Sequence, residues 1–423
     1  MRAVVYRGVN DLRLETVPVP RIGANELLVK VAVCGVCPTD IKKIQHGTVP
    51  PPRIFGHETA GTIVKIGGNR TSLEIPSPGE TPPSPPLGAG ERDGVRGRSW
   101  VEVRVGDRVA LHHHVPCLDC HFCRHRAFAQ CATYKRTGIT AGFEPAGGGY
   151  AEYVRVLPFV LPGVVKIPAR NSFEEGAMLE PVNTVLKAVA RLNLLPGDNV
   201  LVAGQGPIGL MFTKILQLRG IRVLATDLLE SRLELAKKFG AKWVLNPRLR
   251  RAELPLRQDA RQRVPTAFDA AIIAVPSDDA VTQALRLVRG AGQVLLFAHT
   301  KRGAHAPRVP FLAPRQKPTA GTETSAIEES GGAPDSAREA RALPFSLDLA
   351  SICLDEKDLI GSYSSDFTLQ AGVARLVFSR QLDVRPLITH RFPLEQTAAA
   401  VALAAKPTED SLKIVVSAIR VRD

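Results

Sequence analysis

The sequence predicts an α/β protein: a β-rich first part, a doubly wound parallel sheet after it, and a short tail. Three observations carry this. Residues 100–115 (WVEVRVGDRVALHHHV) and 147–156 (GGGYAEYVRV) alternate apolar and polar side chains, as half-buried strands do. From about Pro181 the texture changes to short apolar runs, NVLVA, IRVLATD, AAIIAV and GQVLLFA, separated by helical segments such as ESRLELAKKFG. Strands that alternate with helices pair in parallel, because each crossover helix returns the chain to the same end of the sheet.

Taken in order, MRAVVYRGVNDLRLETVPVP opens as a strand and lacks the basic-then-apolar run of a signal peptide. Asn69 to Ser99 is rich in Pro, Gly and Ser, and about 302–343 has the same composition, so both read as mobile insertions between ordered strands. The turn at Gly106-Asp107 separates two strands. No apolar stretch is long enough to span a bilayer, so the chain is expected in the cytoplasm, with no membrane partner. Thiols stay reduced there, and clustered cysteines are more often ligands or catalysts than disulfides.

The net charge is +14. Its densest stretch, Asn246 to Val264, carries six Arg against one Glu and one Asp. No aromatic residues interleave with those arginines and no groove-reading motif accompanies them, so a solvated face is expected rather than a nucleic-acid surface.

After the strand NVLVA comes GQGPIG, with Gly204, Gly206 and Gly209 at G-x-G-x-x-G spacing around Pro207 and Ile208. The first glycine permits a tight turn, the second lets backbone approach a pyrophosphate, and the third lets helix and strand pack closely. Asp227 ends the next strand, 23 residues beyond Gly204. A carboxylate there accepts hydrogen bonds from a ribose 2′-hydroxyl and repels a 2′-phosphate, so NAD is the expected cofactor. Arg232 follows five residues later and reads equally well as an adenine neighbour or a helix-surface residue.

Cys37 in CGVCPTD and His57 in FGHETAG are a soft thiolate and an imidazole, a pairing that suits zinc. Glu58 beside His57 and Glu180 in GAMLEPVN are both plausible third ligands. Cys117, Cys120, Cys123 and Cys131 fall within fifteen residues, CLDCHFCRHRAFAQC. Four thiolates complete a tetrahedron and leave no open position, so a closed metal cage is favoured over a redox pair. The interleaved His121 and His125 read as loop surface.

CGVCPTD, GHETAG, the four-cysteine loop, LEP and GQGPIG stand in the order seen in zinc-dependent medium-chain dehydrogenases. The chain resembles their polyol branch, which includes sorbitol and threonine dehydrogenases, over nearly its whole length apart from the two insertions. The resemblance implies a GroES-like catalytic domain over 1–180 with a structural zinc lobe at 117–131. A Rossmann NAD-binding domain over 181–365 and a return to the catalytic domain over 366–423 complete it. It implies two zinc ions per chain: one catalytic, on Cys37, His57 and Glu58 or Glu180, and one structural, on the four cysteines. Thr39 is then the first carrier of the alcohol proton and Glu180 a ligand or relay group. Many relatives carry a His three residues after Thr39, where this chain has Lys42, which leaves the relay open. Cys34 and Cys353 match no ligand position and are expected to be buried. The implied reaction is hydride transfer from a secondary alcohol (a polyol, sugar, cyclitol or hydroxy amino acid) to NAD. The alternatives are reduction of the matching ketone or aldehyde, or a non-catalytic cofactor-sensing protein. A homodimer or homotetramer is expected.

Overall fold

The alternating segments of the first part form strands β1 Arg2–Gly8, β2 Asp11–Thr16, β3 Leu27–Gly35, β4 Arg53–Ile54, β5 Glu58–Ile66, β6 Ser72–Pro76, β7 Trp100–Arg104, β8 Arg108–Leu111, β9 Tyr153–Val156 and β10 Val164–Lys166. The apolar runs that follow form β11 Asn199–Ala203, β12 Arg222–Thr226, β13 Trp243–Leu245, β14 Phe268–Ile273, β15 Val288–Leu296 and β16 Asp358–Gly361, and the tail supplies β17 Ile388–Pro393 and β18 Lys413–Ser417. The structure is a computed structural model that describes residues 1–77, 100–112, 114–136, 147–248, 264–298 and 349–418. The second expected insertion and most of the arginine-rich stretch lie outside the described residues.

The main antiparallel sheet runs β10-β8-β5-β3-β18-β17, with β9 also pairing β3. The tail therefore returns to the first part: β18 pairs antiparallel with β3, placing Val415 opposite Gly35 and Val416 opposite Cys34. On its other edge β3 sets Gly35 opposite Glu58. This register gathers residues about 380 positions apart into one site. Of the expected insertion at 69–99, Ser72–Pro76 forms a strand that pairs residue by residue with Trp100–Arg104, and 78–99 lies outside the described residues. Leu73, Ile75 and Val103 are buried and supply the apolar face that makes the hairpin worth forming.

The second sheet runs β13-β12-β11-β14-β15-β16, all of it parallel. This is the doubly wound order in which the chain reverses direction beside the first strand, opening a crevice at the carboxyl ends of the strands. Val200, Val202, Ala270 and Ile272 are fully buried, as a sheet covered by helices on both faces requires. Their core continues through Ala177, Met178 and Leu179 to Val33 and Ala60 of the antiparallel sheet.

Glu26 braces the entrance to β3. Its buried carboxylate accepts hydrogen bonds from Gly23 N–H at 2.6 Å and from both Arg155 nitrogens at 2.6 and 2.8 Å. Burial opposes ionisation, but these donors outweigh it and hold the carboxyl below its usual range. The depressed group contributes stability above the unfolded value near 4.5, lost as pH falls through the folded one. Glu26→Gln is expected to cost about 1–3 kcal/mol at neutral pH. The difference from wild type should shrink on acidification, as followed by chemical unfolding at several pH values.

Candidate active site

The helix Pro38–His46 begins where β3 ends. Cys37 is its N-cap residue in extended conformation, Pro38 fills the first helical position, and Asp40 sits in the first turn. The Cys37 sulfur makes no capping bond and so stays available. Its Sγ lies 3.0 Å from Thr39 Oγ1. Cys37 rather than Thr39 occupies the cap, and this leaves the Thr39 hydroxyl beside the sulfur. Cys37, His57 and Glu58 offer ligand atoms all within 4.8 Å of one another, His57 and Glu58 being buried. Buried Asp40 approaches His57, with Oδ2 3.0 Å from Nδ1, so Nε2 is the nitrogen left for a metal. Thiolate, imidazole and carboxylate make a three-ligand set that fits zinc and leaves its fourth position open.

Lys413, the first residue of β18, is buried and donates to Glu58 Oε1 at 2.6 Å and to the Val36 carbonyl at 3.0 Å. Nothing larger than glycine fits between these charges, since a Cβ on Gly35 would fall 1.8 Å from Glu58 Oε2 and 3.0 Å from Lys413 Cε. Glu180 sits in the first turn of the helix Leu179–Val189 and is 6% exposed. It stands outside the three-ligand group, and burial pushes its carboxyl up to about 7. Lys42, on the same helix as Thr39, has its ammonium pushed down by burial.

The glycine loop leaves β11 at Gly204, whose φ of +91° and contact with Val275 exclude a side chain. A Cβ on Gly209 would fall 1.8 Å from the Gly204 carbonyl oxygen, which fixes how closely the helix Pro207–Leu218 approaches the strand. Gly206 differs: nothing lies within 4 Å of its missing Cβ. That open space at a helix N-terminus fits a pyrophosphate, with Pro207 at the first helical position and Ile208 packed on the core. The Asp227 carboxylate accepts from Gln205 N–H at 2.7 Å and Leu229 N–H at 3.0 Å, so it also braces the loop. Arg232 reaches 3.9 Å from Asp227 and donates to the Ser411 carbonyl at 3.4 Å, linking the parallel sheet to the tail instead of lying free on a helix surface.

The four cysteines converge. Cys117 Sγ lies 3.9 Å from Cys123 and 3.6 Å from Cys131, and Cys120 lies 3.5 Å from Cys123. A tetrahedron with Zn–S bonds of 2.3 Å has edges of about 3.8 Å, whereas a disulfide brings sulfurs to about 2 Å. Left-handed backbone at Leu118 and Arg126 turns the chain around the cage. Burial raises the Cys131 thiol, but backbone N–H groups of Cys117, Tyr134 and Thr133 outweigh it and bring it to about 6, favouring thiolate. His121 and His125 are exposed, their rings 4.5 Å apart.

Cys34 is fully buried and its thiol is pushed up to about 12. Cys353 departs from expectation: it is exposed, because the short apolar helix Leu349–Leu354 buries none of its residues. No motif marks Lys413 in the sequence. A lysine opening the apolar strand KIVV was the available signal, but its partner lies 355 positions away.

The model of the family described as "Zinc-binding dehydrogenase" matches residues 207–326, and that of the "Alcohol dehydrogenase GroES-like domain" matches 23–77 and 90–169. Sorbitol dehydrogenase from Bombyx mori is 27% identical over 408 residues, covering 95% of this chain and 94% of that protein. The Bacillus subtilis sorbitol dehydrogenase is 26% identical over 427 residues, covering 98% and 97%. Among solved structures, galactitol-1-phosphate dehydrogenase from Escherichia coli superposes with a TM-score of 0.67 at 23% identity, covering 99% of this chain and all of that one, a likeness of fold. Two family models in chain order, relatives matched end to end, and two thiolate-containing clusters of candidate metal ligands beside a doubly wound sheet place the chain in the zinc-binding alcohol dehydrogenase family, in its medium-chain division.

Proposed function

We propose that this protein is a zinc-dependent oxidoreductase that transfers hydride between a secondary alcohol of the polyol class and NAD. The observation that carries the reading is the contrast between the two donor sets: four thiolates that close a coordination sphere, and Cys37, His57 and Glu58, which leave one position open. The names of the relatives, sorbitol dehydrogenases in two organisms, support a polyol as the alcohol.

In this reading Cys37, His57 and Glu58 hold the catalytic ion, while Lys413 neutralises the charge that Glu58 adds. Bound zinc supplies Lewis acidity toward the substrate oxygen, and NAD accepts the hydride. Thr39 Oγ1, beside Cys37, would take up the alcohol proton while releasing its own hydroxyl proton onward toward solvent. Glu180, its carboxyl pushed up to about 7 by burial, is the proposed next carrier of the proton at neutral pH. Asp40 fixes the His57 ring.

Gly204, Gly206 and Gly209 seat the pyrophosphate, Asp227 faces the adenine ribose and Arg232 flanks it. Asp227→Ala is expected to reduce discrimination against NADP about tenfold, read as the ratio of kcat/KM for the two cofactors. Unchanged discrimination would remove Asp227 from the cofactor site.

A screen of polyols, sugars and L-threonine, following NADH absorbance, tests the activity; no turnover with any secondary alcohol would refute it. D-Xylulose reductase A of Aspergillus oryzae, 29% identical over 252 residues, favours a second reading in which the same site reduces the matching ketone. The cofactor ratio then sets direction. We further propose a cytoplasmic homodimer or homotetramer, testable by light scattering.

A further inference from the structure

Tyr134 follows the last cage cysteine by three residues and is 3% exposed. It touches three parts of the molecule at once. Its backbone N–H points at the Cys131 sulfur. Its ring stacks on His114, centroids 4.5 Å apart and planes 18° apart, and the His114 ring lies 6.1 Å from that of His57. Its hydroxyl contacts Ser364 Oγ and lies 3.5 Å from Ser365 Oγ, which in turn lies 3.5 Å from His112 Nε2. Ser364 holds a φ of +61°, a left-handed backbone that costs a serine about 1 kcal/mol or more and persists where its surroundings impose it. These two serines lie on the segment that leaves β16, the edge strand of the parallel sheet.

We infer that Tyr134 is a positioning residue that ties the four-cysteine lobe to the reaction centre through His114. The proposed ligands of the catalytic ion come from the start of one helix and the start of β5, and Asp40 holds His57 at Nδ1. The His114 ring lies next to the His57 ring, tilted 46° from it. It is kept there by a tyrosine whose own position is set at one end by the cage and at the other by the paired serines. The cage then does more than stabilise a loop: it fixes the backbone from which Tyr134 projects. Supporting side chains of this kind alter metal affinity or activity about 10–100-fold when removed. The inference rests on the proposed assignment of the two zinc centres.

The test uses the full chain reconstituted with cobalt(II), whose visible bands distinguish a four-thiolate ion from one held by a single thiolate. Wild type should show both sets. His114→Ala should shift the single-thiolate set in the absence of any substrate, leave the four-thiolate set in place, and lower kcat about tenfold with little change in KM. Tyr134→Ala should do the same, and Tyr134→Phe, which keeps the stacked ring but loses the serine contacts, should shift the single-thiolate bands less than Tyr134→Ala does. If Tyr134→Ala does not fold, His114→Ala decides the matter. Two ions in wild type with unmoved bands and unchanged kcat in His114→Ala would overturn this inference alone. A wild-type chain that takes up a single ion would overturn the two-centre reading and this inference with it.

Discussion

Cys37→Ala should reduce zinc content from about two ions per chain to one and lower turnover about a thousandfold, while the protein stays folded. The magnitude follows from Lewis-acid stabilisation worth several kcal/mol, each 1.36 kcal/mol being a factor of ten in rate. Loss of the catalytic ion is expected because Cys37 supplies the only thiolate of the three-ligand group. Folding should survive because Cys37 is partly exposed and its sulfur makes no capping bond that the helix needs. The four-cysteine ion should remain, since its ligands all lie within 117–131. Metal analysis after dialysis against a chelator, with turnover on the best polyol, checks both halves. A variant that kept two ions would sink the catalytic assignment.

Lys413→Met should destabilise the metal-free protein by about 3–5 kcal/mol, because it strands the Glu58 carboxylate in a site with almost no access to water. Zinc bound to Glu58 would supply the missing positive charge, so the loss should be smaller in the loaded protein. Urea unfolding of the two forms measures the difference; equal losses would mean that Glu58 does not face the metal. The pH dependence has a definite sign. Burial lowers the Lys413 pKa, but the charge of Glu58 outweighs it and the net shift is upward. The pair therefore contributes fully below the unfolded lysine value of 10.5 and is lost as pH rises through the folded value. On the alkaline side, wild type should lose this advantage over Lys413→Met as Lys413 deprotonates.

The parallel half of the fold was legible because its signals are local. NVLVA followed by GQGPIG names a strand, a turn and a helix within twelve residues, and the structure places them so. The cage was legible for the same reason. The hairpin of β6 and β7 was not: its first strand sits in a stretch whose prolines and serines suggested an insertion, and its partner begins 24 positions after that strand ends. Cys353 was misread because an apolar helix buries its face only where another surface covers it, which composition does not report.

The sequence by itself determined the chemistry that is available: thiolates at Cys37 and in the four-cysteine loop, imidazole at His57, carboxylates at Glu58 and Glu180, and a phosphate turn at Gly204 to Gly209. These depend on residue type and short spacing. Only the tertiary structure decided which groups meet. β18 brings Lys413 onto Glu58, Asp40 turns His57, Glu180 stands aside from the three ligands, and Tyr134 stacks on His114. Each of these contacts is made by sheet register or core packing across chain separations that no local pattern encodes, because such contacts form only when the intervening segments bury their apolar faces together.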